Sequence, residues 1–200
     1  MTFGTRERGN IHGDESGLTM VELMVYSVLL VVVLVAVGQI FLSSLRTESS
    51  VRTVVDATTA AQLGASSVET GIRNSSAHRI TSVTGGDQLL QARVAKGEAV
   101  LTWVCAAWYF DYSATGVSQI RYHEYPETTV AMTVPTASQV ANWTLLVDGV
   151  KPSTGTSIFG GSGSSLTLAY EVVAGDGQPP ASISTTAYRR APSPGSGTCY

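Results

Sequence analysis

The residue with the clearest chemical potential in this sequence is an acidic one in an apolar setting. Glu22 stands at the start of a hydrophobic run, and no side chain from Val28 to Val37 carries a polar atom. A carboxylate inside a bilayer costs about 2.5 kcal/mol or more unless it is paired or stays near the interface. Glu22 is therefore either the interfacial end of an ordinary membrane anchor or one half of a charge pair.

Two cysteines, Cys105 and Cys199, are the candidates for covalent chemistry. If the chain beyond the apolar run is exported to an oxidising space, a disulfide between them is reasonable. The alternative is two unrelated buried thiols. Cys199 is second from the end of a tail rich in glycine, proline and serine that has little else to hold it. We therefore predict a Cys105–Cys199 disulfide.

The sequence offers no recognisable catalytic or metal-binding pattern. Its three histidines (His12, His78 and His123) lie far apart, and none has another ligand at metal-site spacing. Residues 161–163 resemble a nucleophile elbow, but Ser164 replaces the glycine that the motif needs. No phosphate loop or dinucleotide fingerprint is present. We expect no enzyme activity, no metal and no cofactor. The net charge of −3 argues against nucleic-acid binding.

The apolar run is long enough to cross a membrane. From Leu23 to Leu42 it has 20 residues, and a helix of that length covers roughly 30 Å, the thickness of the hydrocarbon core. A cleaved secretory signal peptide is the competing interpretation. Its apolar core would have about 7–15 residues, with a cut site behind it. Here the core is longer and the best glycine, Gly17, precedes it.

The stretch Gly17-Leu-Thr-Met-Val-Glu22-Leu, followed by the long apolar run, resembles the N-terminal signature of type IV prepilins and type II secretion pseudopilins. The resemblance is close over residues 17–42. It implies that a prepilin peptidase cuts after Gly17 on the cytoplasmic side and methylates the new amino terminus at Leu18. It also implies an extracytoplasmic C-terminal domain that enters a cell-surface filament. The charges flanking the span do not fix this orientation by themselves.

The resemblance also gives Glu22 a role. Cutting creates a cationic amine at the start of a membrane helix, and this amine needs an anionic partner inside a filament. Glu22 of a neighbouring subunit would supply it, so that neither charge is left unpaired in apolar surroundings. The implied partners are the prepilin peptidase, other pilin or pseudopilin subunits, and the membrane.

Beyond the apolar run, the pattern continues as an amphipathic helix. One helix is predicted from about Thr19 to Asn74, with no proline from residue 18 to 125. Its small, alanine-rich stripe steps by three or four residues and suits packing on a sheet; a coiled-coil dimer is the alternative. The stripe consists of Val51, Val54, Thr58, Ala61, Ala65, Val68 and Ile72.

Strand-like segments follow the helix. The strongest, Glu98–Tyr112, is apolar on both faces and should be central, with the long helix on one side. The others are Gln88–Val94, Gln119–Tyr125, Ser165–Ala174 and Ala181–Tyr188. Four tyrosines, taken as exposed, could form a binding face, although packing within the sheet is their more common use: Tyr109, Tyr112, Tyr122 and Tyr125.

These patterns predict an α+β fold of pilin type, a long N-terminal helix packed on an antiparallel β-sheet. The predicted organisation is a leader over residues 1–17, a long helix over 18–75 with its membrane segment at about 23–42, and a β-rich head over 76–200. The leading functional hypothesis is a structural minor pilin or pseudopilin. A single-pass surface adhesin or binding module is the second hypothesis, and an anchored enzyme is the third.

Overall fold

The computed structural model describes residues 19–97, 102–114, 117–127, 131–175, 177–190 and 199–200. It contains two compact units, of which one ends at Glu48 and the other runs from Ser49 to Tyr200. The predicted leader, the processing residues Gly17 and Leu18, and residues 98–101 of the predicted central strand lie outside the described residues.

Helix α1 runs from Met20 to Arg73 and has 54 residues. The prediction of one long helix from about Thr19 to Asn74 is therefore confirmed. This stretch contains no proline, so its ladder of backbone hydrogen bonds is not interrupted. The two residues that border it, Thr19 and Asn74, are polar. Glu22 lies in the first turn and Arg73 in the last, each placed to interact favourably with the helix dipole.

The rest of the chain is built mainly from strands joined by turns, in which glycines such as Gly85 and Gly86 have positive φ. The strands are β1 (Ser75–Ser82), β2 (Gln88–Lys96), β3 (Thr102–Asp111), β4 (Ser118–Pro126), β5 (Thr144–Pro152), β6 (Phe159–Gly160), β7 (Ser165–Val172) and β8 (Ala181–Tyr188). A short helix, α2 (Ala137–Val140), precedes β5.

The strands form a curled, fully antiparallel sheet in the order β1-β2-β3-β4-β5-β7-β6, and β8 also pairs with β7. Strand β3 lies between β2 and β4, so the central position predicted for it is confirmed. Residues Cys105–Phe110 of β3 are all buried. Both faces of this strand are covered, which explains why its sequence is apolar without alternation.

The main core lies between the sheet and the second half of α1. Ala61, Ala65, Val68 and Ile72 of the predicted stripe are buried in it. Val51, which also belongs to the predicted stripe, is 54% exposed and lies outside this core. Instead Ala57 and two glycines, Gly64 and Gly71, complete the buried face of the helix. Very small residues at these positions let the helix backbone approach the sheet closely. The fold is therefore the α+β arrangement expected from the sequence.

A smaller apolar cluster covers the opposite face of the sheet, and it contains Leu89, Ala107, Tyr109, Val140 and Trp143. This packing corrects the interpretation of the four tyrosines as exposed. Tyr109 is buried and the other three are half-buried. They also divide between the two faces, since Tyr125 packs against this cluster, whereas Tyr112 and Tyr122 pack against the main core.

Four elements were not predicted from the sequence: β1, β5, β6 and α2. Strand β1 is mostly polar and reads Ser-Ser-Ala-His-Arg-Ile-Thr-Ser. Its hydrogen bonds to β2 stabilise it as a strand, although its sequence has no apolar alternation, and this is common for a strand at the edge of a sheet. Helix α2 has only four residues, too few for a periodic signal.

Candidate functional site

The start of α1 positions the acidic residue that the sequence singled out. Thr19 precedes the helix, and its hydroxyl oxygen accepts a hydrogen bond from the backbone N–H of Glu22 at 3.3 Å. The carbonyl oxygen of Thr19 accepts a second bond, from the N–H of Leu23 at 3.1 Å. Thr19 thus caps the helix, because its side chain satisfies a backbone donor that has no partner within the helix.

The carboxylate of Glu22 is exposed and has one described partner. The hydroxyl of Tyr26, one helical turn later, donates a hydrogen bond of 3.0 Å to Glu22 Oε1. Among residues 19–97 and the other described ranges, no lysine or arginine forms an ion pair with Glu22. A carboxylate accepts about four hydrogen bonds, so this group retains the capacity to bind a cationic donor from another molecule.

The helix surface that follows Glu22 is apolar except at Tyr26, Ser27 and Gln39. From Leu23 to Leu42, each large hydrophobic side chain is 51–71% exposed. This stretch is long and apolar enough to cross a membrane. In water so large an apolar surface would be unfavourable, and it therefore requires lipid or other protein around it.

The second predicted site is the disulfide, and the structure contains it. Cys105 and Cys199 are bonded and buried, with their Cα atoms 5.5 Å apart and a sequence separation of 94. The bond joins the central strand β3 to the end of the chain. It lies on the sheet face that α1 does not cover, because the neighbouring residues of β3 on that side, Ala107 and Tyr109, belong to the smaller cluster.

Side chains around the bridge also bind the tail. The Tyr125 hydroxyl donates to the carbonyl oxygen of Cys199 at 2.9 Å, and Gln91 Nε2 donates to the same atom at 3.2 Å. The guanidinium of Arg79 lies 5.0 Å from the centre of the Tyr200 ring, within the range of a cation–π contact. The chain terminus is thus fixed to β1, β2, β3 and β4.

A groove of about 490 Å³ opens between the second half of α1 and the sheet. Its wall on the sheet side is largely apolar and includes Val94, Val104, Trp108 and Leu146. At its rim Lys96 forms an ion pair with Glu124, whose carboxylate also accepts a 2.8 Å hydrogen bond from the Tyr122 hydroxyl.

These contacts affect the charge of the rim. The hydrogen bond from Lys96 lowers the pKa of Glu124, with a smaller contribution from Tyr122. Burial, followed by the hydrogen bond to Glu124, raises the pKa of the Tyr122 hydroxyl. At neutral pH the rim therefore carries one cation, one anion and a neutral phenol.

The residues considered for catalysis do not come together. His78 on β1 is half-buried, and burial and then Arg189 lower its pKa. His123 on β4 is exposed and stacks on Trp143, with ring centres 5.2 Å apart. Gly161 and Gly163 adopt positive φ in the turn between β6 and β7. No cluster of three metal-ligating side chains occurs in the part of the chain that the structure describes.

The structure also identifies residues that sequence reasoning missed. Tyr26 was not singled out, although its spacing of four residues from Glu22 on a helix places the two on the same face. Gln91 and Tyr125, which bind the carbonyl oxygen of Cys199, gave no local signal because their partner lies 108 and 74 residues away.

Comparison with known proteins gives no match, since no family model, no curated protein and no solved structure is significantly similar to this chain.

Proposed function

We propose that this chain is a structural subunit, a minor pilin or pseudopilin, of a type IV pilus-like filament. It is inserted in the membrane, cut after Gly17 by a prepilin peptidase, methylated at Leu18 and assembled through its N-terminal helix. The observation that carries the proposal is the position of Glu22. A carboxylate without a cationic partner among the described residues stands in the first turn of an exposed apolar helix.

The physical reason for this position is charge compensation. In a filament the apolar helices pack together, and the amine of Leu18 and the carboxylate of Glu22 leave water. Pairing them between neighbouring subunits removes the cost of isolating either charge, which is about 3–5 kcal/mol when one partner is missing. The α+β fold, with a helix on an antiparallel sheet, and the disulfide expected of an exported domain support the same proposal.

A membrane-anchored binding module is the second candidate. The groove between α1 and the sheet favours it, because a largely apolar cavity with a few polar groups at its rim is typical of a ligand site. In such a protein Glu22 has no partner to pair with. Its replacement by an apolar residue should then be harmless, or should even favour insertion into the membrane.

The deciding experiment is co-purification of the full chain with other filament subunits, compared at equal membrane levels. Glu22→Val should leave synthesis, insertion and cutting after Gly17 intact. It should lower recovery with sheared filaments about tenfold or more, given the cost of one unpaired charge. Glu22→Gln, which keeps the shape and removes the charge, should have a similar effect. Equal recovery of wild type and Glu22→Val would refute the paired charge.

Tyr26→Phe is the matched control. It removes the hydrogen bond to Glu22 within the same helix but keeps the carboxylate. Recovery near that of wild type would show that the charge matters for partners outside the helix. A loss as large as that of Glu22→Val would instead assign Glu22 a role within its own helix.

A further inference from the structure

Strand β8 (Ala181–Tyr188) pairs with β7 over all eight of its residues, in one continuous register. The bonding pattern of β7 shows which groups of β8 are used. The N–H of Ala169 donates to the carbonyl oxygen of Ile158, on the side of β6, so the odd-numbered residues of β7 face β6 and the even-numbered ones face β8. The N–H of Arg189 donates to the carbonyl oxygen of Ser164 at 3.0 Å. This bond continues the same alternation beyond Tyr188.

The backbone groups of β8 therefore divide into two sets. In an antiparallel ladder, opposite residues alternate between pairs that exchange both backbone hydrogen bonds and pairs that exchange none, so the residues opposite the even-numbered positions of β7 are the ones that bind β7. These are Ala181, Ile183, Thr185 and Ala187. The N–H and C=O groups of the other four residues point away from the sheet: Ser182, Ser184, Thr186 and Tyr188. Within the described ranges, no donor or acceptor reaches these outward groups.

This edge lacks the features that normally prevent strands from pairing. Natural sheets protect an edge with lysine, proline, inward charges or bulges. Strand β8 reads Ala-Ser-Ile-Ser-Thr-Thr-Ala-Tyr, without a charge or a proline, and its register with β7 has no bulge. Its side chains alternate, with Ile183 half-buried against the core and Tyr188 63% exposed.

The edge at β1 is protected by comparison. Its register with β2 shifts between Ser75 and Ala77, and it carries the charged Arg79. The Arg189 guanidinium donates a hydrogen bond to the backbone carbonyl of Ser76. The β1 edge is therefore irregular, carries a charge and accepts a hydrogen bond, whereas the β8 edge is regular and neutral and its outward groups have no hydrogen-bond partner among the described residues.

From this contrast we infer that β8 accepts an additional strand from a neighbouring subunit, paired through the backbone of Ser182, Ser184, Thr186 and Tyr188. The inference rests on the proposed filament function and names a contact within it. Only an extended segment presents backbone donors and acceptors at a repeat of two residues, about 6.8 Å; a helix has already used its own. The incoming segment should be uncharged, with a β-branched or apolar side chain beside Ile183 and Ala187.

Amide hydrogen exchange of the full chain tests this inference residue by residue. The chain is extracted from its native membranes in mild detergent together with its partners, and is compared with the same chain after its partners are removed. In the isolated chain the amides of the four outward residues should exchange quickly and those of the other four slowly. In the complex the outward amides should slow about tenfold or more, because they become hydrogen-bonded.

A proline substitution adds a second readout. Ser184→Pro removes an outward N–H that β7 does not use, a change that edge strands tolerate. It should abolish the added protection of Ser182 and Thr186, whereas Ser184→Ala should keep it. If the proline variant fails to fold, Ser184→Lys serves instead, because a lysine on an edge opposes pairing.

The outcomes separate this inference from the proposed function. If the chain co-purifies with filament subunits while its outward amides exchange equally fast in both samples, strand addition is wrong and the filament proposal stands. If it does not co-purify, the filament proposal fails. In that case protection of the four outward amides in the native extract would still support strand addition, and its absence would overturn it.

Discussion

The indole ring of Trp108 lies against the backbone of Gly71. A Cβ atom added to Gly71 would stand 2.3 Å from Trp108 Cη2 and 2.7 Å from Cζ2, both far inside van der Waals contact. The indole N–H donates a 3.0 Å hydrogen bond to Ser67 Oγ, one turn earlier on α1. Trp108 is thus held by one helical turn, and the absence of a side chain at Gly71 sets how closely helix and sheet approach.

Gly71→Ala should therefore destabilise the protein, although alanine favours helices. Overpacking costs about 1–3 kcal/mol when neighbouring side chains must shift, which exceeds the gain of about 1 kcal/mol in helix propensity. Thermal unfolding of the full chain in detergent measures the change. Gly38→Ala on the same helix is the control, because a Cβ atom there meets nothing within 4 Å. Equal melting temperatures for the two variants would contradict the close contact with Trp108.

Loss of the disulfide should loosen the chain terminus and lower stability. Cys105 and Cys199 are separated by 94 positions, for which the chain-entropy estimate gives roughly 4–5 kcal/mol as an upper guide. Cys199→Ser should lower the melting temperature and expose the Tyr125 hydroxyl, whose acceptor is the Cys199 carbonyl. Cys105→Ser is the matched control. The double variant should be no less stable than either single one, and two reactive thiols in the unreduced native protein would refute the bridge.

Acid should destabilise the protein through His78. Burial and Arg189 lower its pKa in the folded state, so below about pH 6.5, the ordinary histidine value, the unfolded chain binds more protons than the folded one. Stability from this group is present above that pH and is lost as the pH falls. The free energy of unfolding, measured between about pH 5 and pH 8, should depend less steeply on pH for His78→Gln than for the wild type.

Processing should occur before the apolar helix. The proposed peptidase cuts after Gly17, where the enzyme must fit closely around a residue without a side chain, so Gly17→Ala should be cut poorly and Gly17→Leu not at all. Mass spectrometry of the membrane-extracted protein should find an N-terminus at Leu18 that carries a methyl group. An intact Met1, or an N-terminus beyond residue 37, would contradict the prepilin-like interpretation.

Local patterns in the sequence were sufficient to predict the main elements. The apolar run and the stripe after it indicate a helix, because side chains three and four residues apart share one face. That helix is observed from Met20 to Arg73. The segment around Trp108 is apolar on both faces, which indicates a central strand. In residues 181–188 the alternation of apolar and polar side chains indicates the strand observed there. In each case the period of the side chains is itself the signal.

The Cys105–Cys199 bridge was also predicted from the sequence, but the contacts around it depend on the fold. The hydrogen bonds of Gln91 and Tyr125 to the Cys199 carbonyl join residues 74 or more positions apart. No local pattern encodes such contacts, because they exist only when neighbouring strands bring distant segments together.

Only the tertiary structure decided which residues of α1 meet the sheet and which strands lie at its edges. Helical periodicity defines a stripe but not its exact rotation, and the buried face shifts from Val51 to Ala57, Gly64 and Gly71. Likewise β1 and β8 are both edge strands only because of the order in which the strands pair. The sequence determines these elements through short-range periodicity and hydrogen bonding, whereas their contacts depend on how closely the backbones approach, which the packing of the whole core sets.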